Sequence, residues 1–244
     1  MTRRISSIAL AVLADMVRRR AFYVVAFFAV VMTVAIPSLP SYGIGVVKAV
    51  FREVSLGLTY FFALALTVAV GATRVHAEIE RRTIYNILAK NVRRWEYLVG
   101  TWLGIALFIG AAIACFTVVE QLVGFFTYGD PVWRLWQGSF AIWLEMGVLA
   151  AFAVAFSTLS GAVAGATATL TFLFIAHSRD ALLTASAGPA RALYPSLDTF
   201  NVINPVAHGT GITALYALVM IATFVGYAGV LLALGTLAFQ KKDL

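Results

Sequence analysis

Apolar residues run almost unbroken over residues 21–40, 54–73, 97–126, 140–156, 161–176 and 212–239. Runs of this length cross a bilayer as helices, because hydrocarbon offers no partner for a free backbone N–H or C=O. The third and sixth runs are long enough to tilt or to protrude. Ala, Leu and Val follow one another without the alternation of a barrel strand. The pattern therefore predicts an all-α polytopic membrane protein with six transmembrane helices, residues 1–244 forming one transmembrane domain without space for a separate soluble one.

Ahead of the first run, Ile5, Ile8, Ala9, Val12, Leu13 and Met16 recur at helical spacing, with Arg3, Arg4, Ser7, Asp15, Arg18 and Arg19 mostly opposite them. This amphipathic pattern predicts an interfacial helix over residues 1–20, lying on a membrane surface. No A-x-A-like cleavage site follows the first run, so it is expected to stay as a span rather than be removed as a signal peptide.

Charge then orients the spans. The chain is 61% hydrophobic and 12% charged, with a formal net charge of +7. Of its 18 Lys and Arg residues, those at 3, 4, 18, 19, 20, 74, 81, 82, 90, 93, 94, 241 and 242 fall on one side of the predicted membrane. Only Lys48, Arg52, Arg134, Arg179 and Arg191 fall on the other. Lys and Arg are retained on the inner face, so both termini and the loop over residues 74–96 are expected in the cytoplasm, with residues 177–211 an external connection of the inner membrane protein. In that connection Gly188-Pro189 and Tyr194-Pro195 break short helix-compatible runs, which predicts short helices over the outer mouth. The basic excess thus reads as topology, and nothing in it calls for nucleic acid. Trp95 and Trp102 at one interface and Trp133, Trp136 and Trp143 at the other fit an aromatic belt. Gly100-x-x-x-Gly104 and Gly161-x-x-x-Gly165 are spacings that let helices approach closely.

Catalytic chemistry is sparse. There is no H-E-x-x-H, no paired-Asp motif and no Ser/His pair on facing spans, so the chain is not expected to be an enzyme. Cys115 lies alone within a span, as packing. His177, His208, Asp180 and Asp198 are read as loop polar residues rather than a metal site, because no ligand spacing recurs. Glu120 and Glu145 stand apart. A carboxylate within a span costs roughly 2.5–3.5 kcal/mol on insertion scales, and no Lys or Arg shares these apolar runs. Both read as lying toward the outer ends of their spans, where they satisfy local hydrogen bonds or belong to a substrate pathway. All six prolines lie at or beyond the outer ends of spans, so the broken mid-membrane helices of many secondary transporters are not indicated.

The segment AEIERRTIYNILAKNVRRWEYLVG, residues 77–100, is a charged island between two apolar runs. Ile84, Ile87 and Leu88 share a helical face, Thr83 is placed to cap it, and Glu80, Arg81 and Arg82 precede it. About 23 residues join spans that a handful could connect. A short apolar face flanked by charge suits insertion into a partner's groove, as well as a solvated topogenic loop.

The run from Glu80 through Thr83-Ile84, Leu88-Ala89-Lys90, Val92, Arg94 and Gly100 resembles the loop between spans two and three of type 2 ABC exporter (ABC-2 type) permeases. Within them it is most similar to the branch containing the permease for copper-site maturation of nitrous oxide reductase. The resemblance extends to Phe156-Ser157-Thr158-Leu159-Ser160, to Tyr194 through Asn201, and to the C-terminal Lys-Lys-Asp-Leu. Arg82, Asn91 and Thr101 depart from it, standing where Gly, Pro and Lys are usual. The resemblance implies the ABC-2 permease fold, pairing with a second permease subunit, and residues 74–96 as a coupling loop. In that loop Glu80, Arg81, Arg82, Thr83, Ile84, Tyr85, Ile87 and Leu88 would dock an ATP-binding subunit. No Walker A sequence occurs, so ATP and Mg would be held by that partner and no cofactor by this chain. The alternative expectation is a secondary transporter or channel working without ATP.

Overall fold

The computed structural model describes residues 2–18, 21–35, 44–81, 92–129, 132–179 and 195–241. Among these the regular structure is all helical: α1 (Thr2–Arg18), α2 (Ala21–Ala35), α3 (Ile44–Glu80), α4 (Arg94–Tyr128), α5 (Leu135–Ser157), α6 (Ala162–His177), a 3-10 turn (Asp198–Phe200), α7 (Ile203–Ala207) and α8 (Ala214–Gln240). Four are long and apolar enough to cross a membrane: α3 from Val47, α4, α5 and α8. Two apolar helices, α2 over Tyr23–Val34 and α6, are shorter.

The long helices outrun the apolar stretches that predicted them. The run at 54–73 sits inside a 37-residue helix roughly 55 Å long, well beyond the ~30 Å of hydrocarbon, so Lys48, Arg52 and Glu53 at one end and Arg74, Glu78 and Glu80 at the other are helical too. α5 starts at Leu135 rather than 140 because Gly138 and Ser139 are buried contact positions. A Cβ on Gly138 would meet Leu56 at 2.7 Å, and Thr117 Oγ1 of α4 donates to Ser139 Oγ at 2.6 Å.

Around α5 the rest of the molecule is arranged. It packs against α3, α4, α6, α7 and α8. Small residues set these approaches: a Cβ on Gly71 of α3 would meet Ala153 at 2.7 Å, and one on Gly235 of α8 would meet Ala155 at 2.6 Å. Two indoles cross-link α4 and α5, Trp102 Nε1 donating to Gly147 O and Trp143 Nε1 to Ala106 O, each at 2.9 Å. Phe224 of α8 lies between them, its ring centroid 5.9 Å from Trp102 and 6.3 Å from Trp143. These tryptophans are interhelical staples, not only belt residues. At the periphery α8 buries one stripe, Met220, Ala228, Leu232, Gly235 and Phe239, and leaves Leu215, Leu218, Val225 and Leu234 exposed, as a face meeting lipid tails would be.

Helix ends are closed locally. Glu96 accepts the Arg93 backbone N–H at 2.9 Å, half of a capping box at the start of α4. Gly129 ends α4 in the left-handed region, φ 75°, where its N–H reaches Phe125 O. Gln121 holds the next turn by donating to Val132 O and accepting from Val132 N.

The amphipathic periodicity of α1 is realised against protein. Ala9, Val12 and Met16 are buried, and α1 packs on α4 with Ile8 over Gly100 and Val12 over Gly104. The Gly100-x-x-x-Gly104 spacing is thus the seat of α1. Gly165 of the second spacing faces Ala72 of α3.

Candidate functional site

Thr59 and Tyr60, adjacent on α3, diverge by about 100° around the helix and so reach two different neighbours. Thr59 Oγ1 donates to Glu120 Oε1 of α4 at 2.5 Å, and Tyr60 Oη donates to Glu145 Oε1 of α5 at 2.8 Å. Both carboxylates are buried, and among the described residues Glu120 Oε2 has no hydrogen-bond partner. A polar seam continues from them through Thr117 and Ser139. The local hydrogen bonds expected of the two glutamates are therefore present, each from a hydroxyl that the sequence reading had not singled out. A hydroxyl pair in the apolar run at 54–73 was the available signal, since a buried carboxylate needs donors from a neighbouring span.

Glu145 is not near an end of its helix. It lies ten residues after Leu135 and twelve before Ser157, because α5 begins earlier than the apolar run. Nor is His177 a plain loop residue. It closes the last turn of α6, where its Nε2 lies 3.5 Å from Glu145 Oε1 and its Nδ1 lies 3.3 Å from Leu173 O. α6 is short, so its end meets the middle of α5 and leaves room for the segment 195–213 to fold inward. Leu197 N donates to Ala176 O, Phe200 and Val206 are buried, and Ser196 N donates to Tyr227 Oη. Arg52 Nη1 binds Ala207 O at 3.2 Å, at the C-terminal end of α7, and Gln137 Oε1 accepts from Ile212 N at 3.0 Å. In the 177–211 connection the described residues form the 3-10 turn and α7, and the runs before Gly188-Pro189 and Tyr194-Pro195, on which the expected short helices fall, lie at residues 180–194, outside the described ones.

Between this segment and the helices is a cavity of about 240 Å³ lined by Tyr60, Ile142, Glu145, His177, Phe200, Asn201 and Ile203. Among the described residues no group of three or more His, Cys, Asp and Glu side chains could hold a metal ion. His208 is exposed on the turn after α7 and does not join the site.

At the opposite, basic end of the bundle a second cluster ties three helices together. Arg74 of α3 pairs with Asp15 of α1 and with Glu78 at 2.8 Å, and Tyr97 of α4 donates to Glu78 at 2.6 Å. Arg94 Nη1 binds Phe239 O at 2.6 Å, closing the C-terminal end of α8. The α3–α4 connection starts from this base. Glu80 meets His76 at 3.1 Å and Arg81 is exposed, its N–H donating to Ala77 O. Arg82, Thr83, Ile84, Tyr85, Ile87 and Leu88 lie outside the described residues.

The profile of the family described as "Protein of unknown function (DUF2705)" matches residues 8–244. The chain belongs to the DUF2705 family. No curated protein matches it. The match takes in every described helix from α2 onward and most of α1, so both clusters lie within the DUF2705 region.

Proposed function

We propose that this DUF2705 chain is the permease subunit of an ATP-binding cassette transporter of the ABC-2 exporter type. In this reading α2 and α6 join the four long helices as six spans. Both termini and the α3–α4 loop are cytoplasmic in the inner membrane, α1 lies at its inner surface, and residues 195–213 face outward. A second permease subunit pairs with the chain, and a separate ATPase subunit, holding ATP and Mg, docks on the loop. The ATPase activity belongs to that partner.

The observation that carries the reading is the base from which the loop springs. Arg74, Glu78 and Tyr97 join α1, α3 and α4 at the two ends of the loop, so a push on it would move three helices together. Its sequence resembles a coupling loop, and Ile84, Ile87 and Leu88 supply a compact apolar face. Burying one such side chain in a partner groove is worth roughly 1.5–3 kcal/mol. An Asp there removes that gain and leaves an unpaired charge in the interface. Leu88→Asp is expected to reach the membrane normally, since the loop's Lys and Arg still set topology, yet to lose copurification with the ATPase subunit and ATP-driven transport. Asn91→Ser is expected to keep both. Full partner binding and transport in both Leu88→Asp and Ile84→Asp would return the loop to a solvated topogenic role.

One observation favours a second reading. A carboxylate-lined cavity half-way along α5 is the kind of site an ATP-independent transporter would use. Transport by the chain reconstituted alone, without an ATPase subunit, would select that reading.

A further inference from the structure

Three places in the molecule hold polar groups that the proposed docking leaves unused. The first is the groove of about 560 Å³ between α1 and the ends of α3 and α4, lined by Arg3, Arg4, Arg74 and Glu78 among others. Its central cation, Arg74, is already paired with Asp15 and Glu78. The second is Glu120, fully buried and bonded by Thr59. The third is the Glu145 cavity, which combines space, charge and access.

Its wall has one carboxyl group, that of Glu145. Among Tyr60, Ile142, Glu145, His177, Phe200, Asn201 and Ile203 there is no Lys or Arg, so an anion would enter against Glu145 with no cation to receive it. Both contacts to Glu145 are made to Oε1, by Tyr60 and His177, and among the described residues no hydrogen bond reaches Oε2. Tyr60 is committed as a donor to Glu145, which leaves the site short of the several anionic oxygens that a divalent ion requires. Two aromatic rings, Tyr60 and Phe200, and two isoleucines make up most of the rest. Carboxylate and aromatic rings together are the surroundings in which organic cations bind, through a charge-assisted hydrogen bond and the ring faces. Asn201 is exposed and also lines the cavity, so the site opens to the surface. At about 240 Å³ it lies just below the range of drug-sized pockets, and so suits a ligand of few heavy atoms.

We propose that this cavity binds a small primary organic ammonium ion, its N–H groups donating to Glu145 Oε2 and to the Asn201 side-chain oxygen and its alkyl group lying against Phe200, Ile142 and Ile203. The proposal rests on the transporter reading only for what the ligand is used for. Binding is a property of the chain alone.

The experiment uses the full chain in lipid nanodiscs without an ATPase subunit, with butylammonium titrated by calorimetry and butyrate and Mg²⁺ as comparison probes. Saturable butylammonium binding is expected, with no saturable binding of butyrate. Glu145→Gln keeps the side-chain shape but removes the charge, and is expected to weaken butylammonium binding by on the order of tenfold or more, as loss of a hydrogen bond to a charged group does. Thr223→Val, on α8 and outside the cavity wall, is expected to bind as the wild type does. Asn201→Ala, at an exposed position, is expected to weaken binding by several fold and keeps the test open if Glu145→Gln does not fold. No saturable butylammonium binding to the wild type, wild-type affinity in both Asn201→Ala and Glu145→Gln, or saturable binding of Mg²⁺ or butyrate instead would each overturn the proposal. Such a failure would leave the ATPase-docking result with Leu88→Asp untouched, and loss of the docking reading would leave this binding result untouched.

Discussion

Thr59 shows how a single hydroxyl can decide whether a buried carboxylate is tolerated. Glu120 has one oxygen on Thr59 and the other without a partner, so Thr59→Val would leave the whole carboxyl unbonded at zero exposure. Interhelical hydrogen bonds in membrane proteins average about 0.6 kcal/mol and reach about 1.7. The loss here belongs at the upper end, because nothing else on the described helices takes over. Thr59→Val is expected to destabilise the folded chain by about 1–2 kcal/mol in detergent unfolding. Thr223→Val is the matched control, since that exposed hydroxyl bonds only Val219 O of its own helix, and it is expected to be near neutral. Equal unfolding midpoints for the two variants would remove the interhelical role of Thr59. Glu120 and Glu145 were legible in the sequence as misfits in apolar runs. Their partners were not, because a Thr in a span hydrogen-bonds its own preceding turn as readily as a neighbour, as Thr67 and Thr169 do, and a lone Tyr does not say which helix its hydroxyl meets.

At the scale of elements, the telling contact is α1 on α4. An amphipathic helix with a basic face reads as a membrane-surface helix, and its apolar side finds protein as well: Ile8 and Val12 lie over Gly100 and Gly104. A Cβ at Gly104 would stand 2.7 Å from Val12 Cβ and 2.8 Å from Ala9 O, and that backbone oxygen cannot rotate away. Gly104→Val is therefore expected to push α1 off α4, an overpacking of roughly 1–3 kcal/mol. Faster tryptic cleavage after Arg18 in nanodiscs is the readout, with Gly226→Ala, which meets nothing within 4 Å, cleaved at the wild-type rate. Unchanged cleavage in Gly104→Val would mean that the close approach at Gly104 does not hold α1 in place. The spacing that allows close approach was visible in the sequence. Its partner was not, because Gly-x-x-x-Gly specifies a flat surface and says nothing of what lies on it.

For the whole molecule, the decisive feature is that two polar clusters sit at different depths of an apolar bundle. Arg74, Glu78, Arg94 and Tyr97 gather at one end, and Glu145, His177 and the segment 195–213 lie away from it. The permease reading makes the first end cytoplasmic and the second external, on the split of Lys and Arg residues. With Cys115 replaced by Ala, Arg81→Cys and His208→Cys report on the two sides, and both positions are exposed. A membrane-impermeant maleimide applied to intact cells is expected to label position 208 and to spare 81. The reverse pattern would invert the protein and with it the proposed docking of an ATPase on the α3–α4 loop.

Composition and periodicity alone determined that the chain is helical, that its long helices are apolar enough to cross a membrane, where α1 begins its amphipathic face, and which two carboxylates are out of place. These follow from local rules: lipid leaves no choice but a helix for an apolar run, and a 3.6-residue period is written in consecutive residues. Only the tertiary structure decided the rest. It carried α3 and α5 past their apolar runs, set Glu145 at mid-helix, and ended α6 early enough for His177 and Phe200 to reach it. It also turned Trp102 and Trp143 into cross-links between α4 and α5. Each of these depends on the axial offset between neighbouring helices, and an offset is fixed by the small residues and side-chain shapes at their contacts, which no single helix contains.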